Sequence, residues 1–370
     1  TGSVPLHIQW YFNDTLLPGA TNATLVIGTV GEQHEGTYYV TASNLLGAVT
    51  SDTITLTVNP FVAYQPAALS LLSYNVKGNG ASDWSTNSAQ VQAIGRQLLF
   101  LQPDVITFQE IPQSHSSEMT NWIKAFLPGY FLAMNSGTDG YIRSAIASRY
   151  PITRSQKWLD GIDLRPFGYT NENNNLDNFS RDLFEAEILV PHFTEPFHVF
   201  TTHLKSGGTA DDKAKRAAEA AAISNFFVNG FLTTNSHRPY VLTGDMNESN
   251  TNELSIQRLI NPATGLHLTN PQNPYTGSFN TYSTTAANPG SRLDYIMPSG
   301  LLFSNINNSQ VFRTDRLTPL PPGLQATDSR TASDHYPVLM VFNNPFEGPF
   351  QVTSFNVTSQ AVTLSWQSSR

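Results

Sequence analysis

The sequence predicts a mixed α/β chain bracketed by β-only segments. Three observations predict it. Short apolar, β-prone runs recur along the chain; two long stretches between them carry helical periodicity; and both ends alternate apolar and polar residues with no helical pattern. At 370 residues the chain exceeds the ~250–300 at which a single core usually stops growing, so more than one domain is expected.

Residues 1–59 read as strands: Ile8-Gln9-Trp10-Tyr11-Phe12 runs into a turn at Asn13-Asp14, and Thr24–Ile27, Glu35–Val40 and Ile54–Val58 follow. This segment resembles an immunoglobulin-like domain. Trp10 fits the core tryptophan, Gly36-Thr37-Tyr38 the tyrosine corner and Val40 the second-cysteine position, although His34 stands where Asp is usual. Fifty-nine residues fall short of the ~100 of a full domain, so an incomplete β-sandwich is expected.

Residues 60–68 read as a linker. From Leu69 to about Phe342 strands and helices mix. Strands are expected at Leu69–Asn75, Val105–Phe108, Leu183–Val190, Phe197–Thr202, Tyr240–Thr243 and Tyr336–Val341. One helix is expected over Asn87–Leu101, with Val91, Ile94, Leu98 and Leu101 on one face. The other spans Asp211–Val228, with a stripe of Ala220, Ile223 and Phe227 and i,i+4 pairs Asp211–Lys215 and Asp212–Arg216. The domain is bounded at 69–343. Residues 344–370 read as a linker and the start of a fibronectin-like β module, with two strands in Phe350–Trp366.

Composition narrows the chemistry. Twenty Lys and Arg stand against 28 Asp and Glu, a net charge of −8, which argues against a broadly basic nucleic-acid surface. A polyanionic substrate would need local help from a metal ion or a few placed arginines. Cysteine is absent, so disulfides and thiolate metal sites are excluded. No apolar run approaches the ~20 residues of a membrane helix. The first residue is Thr1 rather than Met, which suggests a removed signal or an excised piece.

Polar residues at the strand tips carry the functional signal. Glu110, after Val105–Gln109, suits a hard cation; Asn75, ending Leu71–Tyr74, can fix a carboxylate or coordinate a cation. Asp245 and Asn247, after Tyr240–Thr243, can orient a water and donate to a phosphoryl oxygen. In Ser333-Asp334-His335, adjacent side chains diverge, so His335 needs another carboxylate, for which Asp294 is the candidate. His203, closing Phe200–Thr202, and Arg181 can contact phosphate oxygens. Each has a plain reading when taken singly: a solvated tip, an Asx-turn, a satisfied histidine, a surface arginine. As a set they predict a divalent-metal phosphodiesterase centre.

Taken in order, the segments Ser73-Tyr74-Asn75-Val76, Gln109-Glu110, Ser148–Ile152, Thr202-His203-Leu204, Gly244–Asn247, Arg292–Tyr295 and Ser333–His335 resemble the endonuclease/exonuclease/phosphatase superfamily, which includes deoxyribonuclease I, exonuclease III and neutral sphingomyelinases. The resemblance implies a four-layered α/β sandwich, two packed, mostly antiparallel β-sheets flanked by helices. It implies hydrolysis of phosphoric esters with Mg²⁺ or Mn²⁺, and with Ca²⁺ as a further candidate. By position it implies Asn75 and Glu110 at the metal with Asp334 close by, Asp245 and Asn247 as the water-orienting and phosphate-contacting pair, Asp294 as partner of His335, and His203 at phosphate. Arg181 is a further substrate contact. His203 argues against the abasic-site branch, which carries Tyr there.

The leading expectation is an exported, bacterial nuclease acting on DNA or RNA, secreted or held at the cell surface. Lys205, Lys213, Lys215 and Arg216 are candidates for a groove rim. The alternative is a sphingomyelinase or phospholipase C acting on a lipid headgroup, for which Trp158, Phe167 and Tyr169 in the Trp158–Asn178 insertion could meet a bilayer, stack on bases or form core. An inositol-phosphate phosphatase and a non-catalytic adhesion protein are the remaining readings. Asn247-Glu248-Ser249 is a glycosylation sequon at the proposed centre, which favours bacterial export.

Overall fold

The computed structural model describes residues 6–25, 27, 34–56, 68–136, 139–171, 177–283 and 289–346, and the strands 351–357 and 362–367. Residues 60–67 of the expected linker lie outside them, as do Val26, residues 57–58 and residues 172–176. The chain divides into two compact units, Thr1–Ala63 and Tyr64–Arg370.

In the first unit, β1 (His7–Phe12), β2 (Thr15–Leu16), β3 (Gly36–Asn44), β4 (Gly47–Thr50) and β5 (Ile54–Leu56) form one antiparallel sheet. Long β3 is its spine, pairing β1 along one side and β4 and β5 in succession along the other. The Tyr38 hydroxyl donates to the His34 carbonyl at 2.7 Å, and the Trp10 indole N–H donates to the Asn22 carbonyl at 2.9 Å. Thr24, Leu25 and Ile27, expected in a strand, are not in one. Thr24 continues the bend of Asn22 and Ala23.

The second unit runs β6 (Ala68–Asn75), α1 (Ala89–Leu101), β7 (Val105–Pro112), α2 (Glu118–Phe126), β8 (Phe131–Met134), β9 (Ile142–Ser148), β10 (Ile152–Trp158), β11 (Leu183–Ile188), β12 (Phe197–His203), α3 (Ala210–Phe226), α4 (Leu232–Asn235), β13 (Tyr240–Asp245), α5 (Leu254–Leu259), β14 (Asp294–Pro298), α6 (Gly300–Phe303), β15 (Ile306–Val311), α7 (Asp328–Ala332) and β16 (Val338–Asn343). A separate hairpin follows, β17 (Gln351–Val357) with β18 (Val362–Gln367). One sheet has the order β10-β11-β12-β13-β14, the other β15-β16-β6-β7-β9-β8. Leu71, Val105, Val199, Val241, Ile296 and Val338 interdigitate between them as one apolar layer. The outer face of the first sheet is covered by α3 and α5, where Phe200 and Leu242 meet Ala218, Ile223 and Phe227. The outer face of the second is covered by α1, whose Gln97 donates to the Tyr74 hydroxyl, with α2 and α7 packed on α1. Helix, sheet, sheet and helix make a layered α/β fold.

The expected stripes are the buried ones: Val91, Ile94, Leu98 and Leu101 on α1, and Ala220, Ile223 and Phe227 along α3 and the π-turn after it. The expected pairing of Asp212 with Arg216 gives way to other partners. Asp212 completes a capping box with Thr209 and binds Lys205 at 2.8 Å, while buried Arg216 reaches Glu248 at 3.3 Å.

Gly244 shows how tightly the strand tips are set. Its φ is +137°, and an added Cβ would lie 1.9 Å from the Thr202 carbonyl oxygen of the paired strand. Gly244→Ala is therefore expected to cost at least about 3 kcal/mol, seen as a lower urea midpoint at unchanged slope.

Candidate active site

Strand direction explains why distant residues meet. β6 and β7 are parallel, as are β12 and β13, so Asn75, Gln109-Glu110, His203 and Asp245 all arrive at C-terminal tips. β14 and β16 are antiparallel to these, so Asp294 and His335 enter at their N-terminal ends, Asp294 paired with Asp245 in register. Along the inward faces the lining changes from the apolar layer to hydroxyls and an amide, then to ionisable groups. Thr243 donates to Thr107 at 2.8 Å, and Gln109 to Thr201 at 2.9 Å, across the two sheets.

Strand alternation alone would send Glu110 to the opposite face from Gln109. A register shift between Phe108 and Ile111, with Glu110 at φ +60°, turns its carboxylate back into the site.

The contacts are short and mutual. Asn75 Nδ2 donates to Glu110 Oε1 at 3.1 Å and to Asp245 Oδ2 at 3.0 Å, while its Oδ1 accepts from the Lys77 amide at 3.0 Å. His203 Nε2 lies 3.5 Å from Asp245 Oδ2 and 3.9 Å from Glu110 Oε1. His335 Nδ1 contacts Asp294 Oδ2 at 2.8 Å, and its Nε2 faces Asp245 Oδ2 at 3.7 Å. Thr281 Oγ1 donates to the same Asp294 oxygen at 2.5 Å. Asp245 Oδ1 accepts from the Asn247 amide at 2.8 Å, the Asx-turn foreseen as the plain reading, and Asn247 Nδ2 donates to the Leu204 carbonyl at 3.0 Å.

Burial sets the proton positions. It is the main influence on His203, lowering its pKa well below the usual value with help from the charges of Arg181 and His335, so this imidazole is neutral. Its Nε2 faces two carboxylates and its Nδ1 is buried without a partner among the described residues, which favours the Nε2–H tautomer. Burial also opposes charge on His335, but Asp294 and then Asp245 outweigh it and raise the pKa to about 10. Burial raises Asp245 to about 7; the charge of His335 lowers it, and Asp294 and Glu110 raise it. At 3.7 Å the charge on His335 draws Asp245 towards its ionised form, against the burial that opposes it.

Two expected residues are turned elsewhere. Arg181 is an internal strut: its Nε pairs with Asp139 at 3.1 Å and its Nη1 donates to the carbonyls of His203 and Leu204. It holds the β12 tip and acts on His203 through its charge. Asp334 pairs with Lys77 Nζ at 2.7 Å and belongs to neither cluster of convergent ligand atoms. The adjacent side chains of Asp334 and His335 do diverge, and it is His335 that faces inward.

Sequence reasoning missed Thr281, whose loop position carries no motif, and Arg143. Arg143 lines the recess with Glu110, Arg181 and His203, and its Nε is buried without a hydrogen-bond partner among the described residues. The expected groove rim is not built as expected. Lys215 and Arg216 are buried, and Lys205 and Lys213 pair with Asp212 and Glu253. Of the three aromatics, Tyr169 is buried in the core and half-buried Trp158 and Phe167 pack against it, Trp158 5.0 Å from Phe226.

The donor set fits a divalent cation. Glu110, His203 and Asp245 form one group of ligand atoms within 4.8 Å of one another, and Asp245, Asp294 and His335 a second. Three carboxylates surround one imidazolium, leaving excess negative charge in a buried setting, and buried Asp294 Oδ1 has no partner among the described residues. Carboxylate oxygens predominate, as hard cations require.

Comparison with known proteins adds the following. The family model described as Endonuclease/Exonuclease/phosphatase family matches residues 72–335. A solved family protein from Bacteroides thetaiotaomicron is similar at 20% identity, with a TM-score of 0.52 over 76% of this chain and 97% of that one. An AP endonuclease from Archaeoglobus fulgidus is similar at 16% identity and TM-score 0.51, covering 74% and 99%. D. rerio TDP2, solved with a single-strand DNA product, is similar at 14% identity and TM-score 0.50, covering 75% and 99%. These likenesses concern the fold. No curated protein matches the chain.

Proposed function

The chain belongs to the endonuclease/exonuclease/phosphatase family, and on that premise we propose that it is a divalent-metal-dependent hydrolase of phosphodiester bonds in DNA or RNA. The observation that carries the reading is the meeting of Asn75, Glu110, His203, Asp245, Asp294 and His335 at one end of the inter-sheet layer. Glu110 and Asp245 would hold the cation, with Asn75 fixing both carboxylates. When bound, Mg²⁺ (or Mn²⁺, with Ca²⁺ the third candidate) supplies charge neutralisation at a phosphate oxygen.

The chain's own groups do the rest. Asp245 orients the attacking water and takes its proton as oxygen bonds to phosphorus and the leaving oxygen departs on the opposite side. His335, charged through Asp294, and neutral His203 direct Nε2–H groups at the phosphoryl oxygens, and Asn247 adds an amide proton.

A nucleic acid substrate is supported by the neighbour solved with a single-strand DNA product. The N-terminal unit is proposed as an immunoglobulin-like fragment, on the strength of Trp10 and the Tyr38–His34 contact, and the last hairpin as the start of a fibronectin-like module. Such appended β modules suit an exported enzyme, secreted or surface-held, and bacterial export fits the sequon at Asn247.

The test offers plasmid DNA, RNA, sphingomyelin and inositol phosphates in parallel with Mg²⁺, Mn²⁺, Ca²⁺ or EDTA. Cleavage of nucleic acid with a divalent cation and none in EDTA is expected. Phosphocholine release from sphingomyelin alone would overturn the substrate assignment.

A further inference from the structure

Beside the catalytic cluster, on the flank away from Arg143, lies a cavity of about 550 Å³ that no step above uses. Its walls include Lys77, Gln90, Arg330, Ser333, Asp334 and Tyr336. It is joined rigidly to the centre. Ser333 Oγ donates to the Asn75 carbonyl at 2.8 Å and accepts the His335 amide at 3.0 Å. Gln90 Nε2 donates to the carbonyls of Val76, Lys77 and Ala332, tying the strand that ends at Asn75 to α7, which carries Arg330. The recess is therefore pre-formed, and its floor is one residue from His335.

Its chemistry differs from that of the chain as a whole. Two cations, Lys77 and Arg330, line it with one carboxylate, Asp334, which Lys77 engages at 2.7 Å. Cations thus outnumber carboxylates in its lining, in a protein of net charge −8. Its other walls mix hydroxyls and amides with a comparable share of apolar surface, and its cations would repel a choline headgroup. The volume falls within the ~300–1,000 Å³ of small-molecule sites, well beyond what one phosphate needs.

We infer that this cavity binds the nucleotide next to the scissile phosphate, with Arg330 meeting that nucleotide's own phosphate, so that the enzyme selects polynucleotide strands over isolated phosphodiesters. The inference rests on the phosphodiesterase reading and deepens it.

Arg330→Glu tests it, because Arg330 has no part in the catalytic cluster. Two substrates are compared with Mg²⁺ present: bis(p-nitrophenyl) phosphate, which has no neighbouring phosphate, and a thymidine tetranucleotide. The variant is expected to lose about tenfold in kcat/KM on the tetranucleotide, mostly through KM, with the small diester within about twofold of wild type. Arg330→Lys should restore most of the loss. Equal effects on both substrates, or none on the tetranucleotide, would overturn the proposal while leaving the phosphodiesterase reading intact. So would a loss confined to inositol trisphosphate, run as a third arm. Binding of a fluorescein-labelled phosphorothioate tetranucleotide is measured by anisotropy alongside. If neither diester is cleaved, the phosphodiesterase reading fails, and weaker binding by the variant would still support the cavity. Equal binding by both proteins would end the proposal.

Discussion

Replacing His335 with alanine is expected to lower kcat on a phosphodiester by about 10³-fold, within the range for losing a positioned acid–base group. The side chain sits between Asp294, at 2.8 Å, and Asp245, at 3.7 Å. A second consequence is structural. Asp294 is fully buried, and without His335 its charge keeps, among the described residues, the Thr281 hydroxyl alone. Breaking a buried pair from one side costs roughly 3–5 kcal/mol, so melting temperature should fall too. Asp294→Asn separates the two effects, since it keeps the packing and removes the charge that makes His335 an imidazolium. In the wild type the raised pKa gives a stability contribution complete below the unfolded value of ~6.5 and lost as pH rises through about 10. In Asp294→Asn that loss, and the basic limb of the activity profile, should move to lower pH. An unchanged profile would show that His335 does not act as the charged donor.

Asp245→Asn is expected to have a comparable effect on turnover, again about 10³-fold, because Asp245 is the acceptor in contact with Asn75, His203 and His335 together. Its pH signature runs in the opposite direction. The folded, cation-free protein holds a proton on Asp245 up to about pH 7, whereas the unfolded chain loses it near the ordinary carboxylate value of ~3.9. Stability in EDTA should therefore fall as pH rises across that window, by on the order of a few kcal/mol. A cation must displace the same proton, so Mn²⁺ affinity should climb towards about pH 7 and then level off. Both trends should flatten in Asp245→Asn. Melts in EDTA from pH 5 to 8, with Mn²⁺ titrations at the same values, decide the matter.

The strand tips were legible because a polar residue ending an apolar run is visible in one dimension. Asn75, Glu110, His203 and Asp245 are read from such endings, and parallel pairing of β6 with β7 and β12 with β13 delivers them to one place, where Asp294 and His335 enter from the N-terminal ends of antiparallel strands. The divergence of adjacent side chains shows that His335 needs a carboxylate other than Asp334, and the family resemblance points to Asp294. Partner choice over long separations was not legible. Arg181 is held by Asp139 and by two carbonyls some twenty residues away, and Asp334 is claimed by Lys77 across 257 positions of chain, which is their difference in number. Nothing local announces either contact. The helical charge pattern misled for a related reason. Asp212 and Arg216 have the spacing of a surface pair, yet the helix turns Arg216 inward to carbonyls of the loop after β12. The bulge at Glu110 is likewise invisible in sequence, since simple alternation would have pointed that carboxylate out of the site.

The most direct test is a crystal soaked with Mn²⁺ and measured for anomalous scattering. One strong peak is expected within about 2.0–2.4 Å of a Glu110 carboxylate oxygen, with Asp245 and Asn75 closing around it. Manganese found only at surface carboxylates, together with full phosphodiesterase activity in Glu110→Ala, would contradict the account.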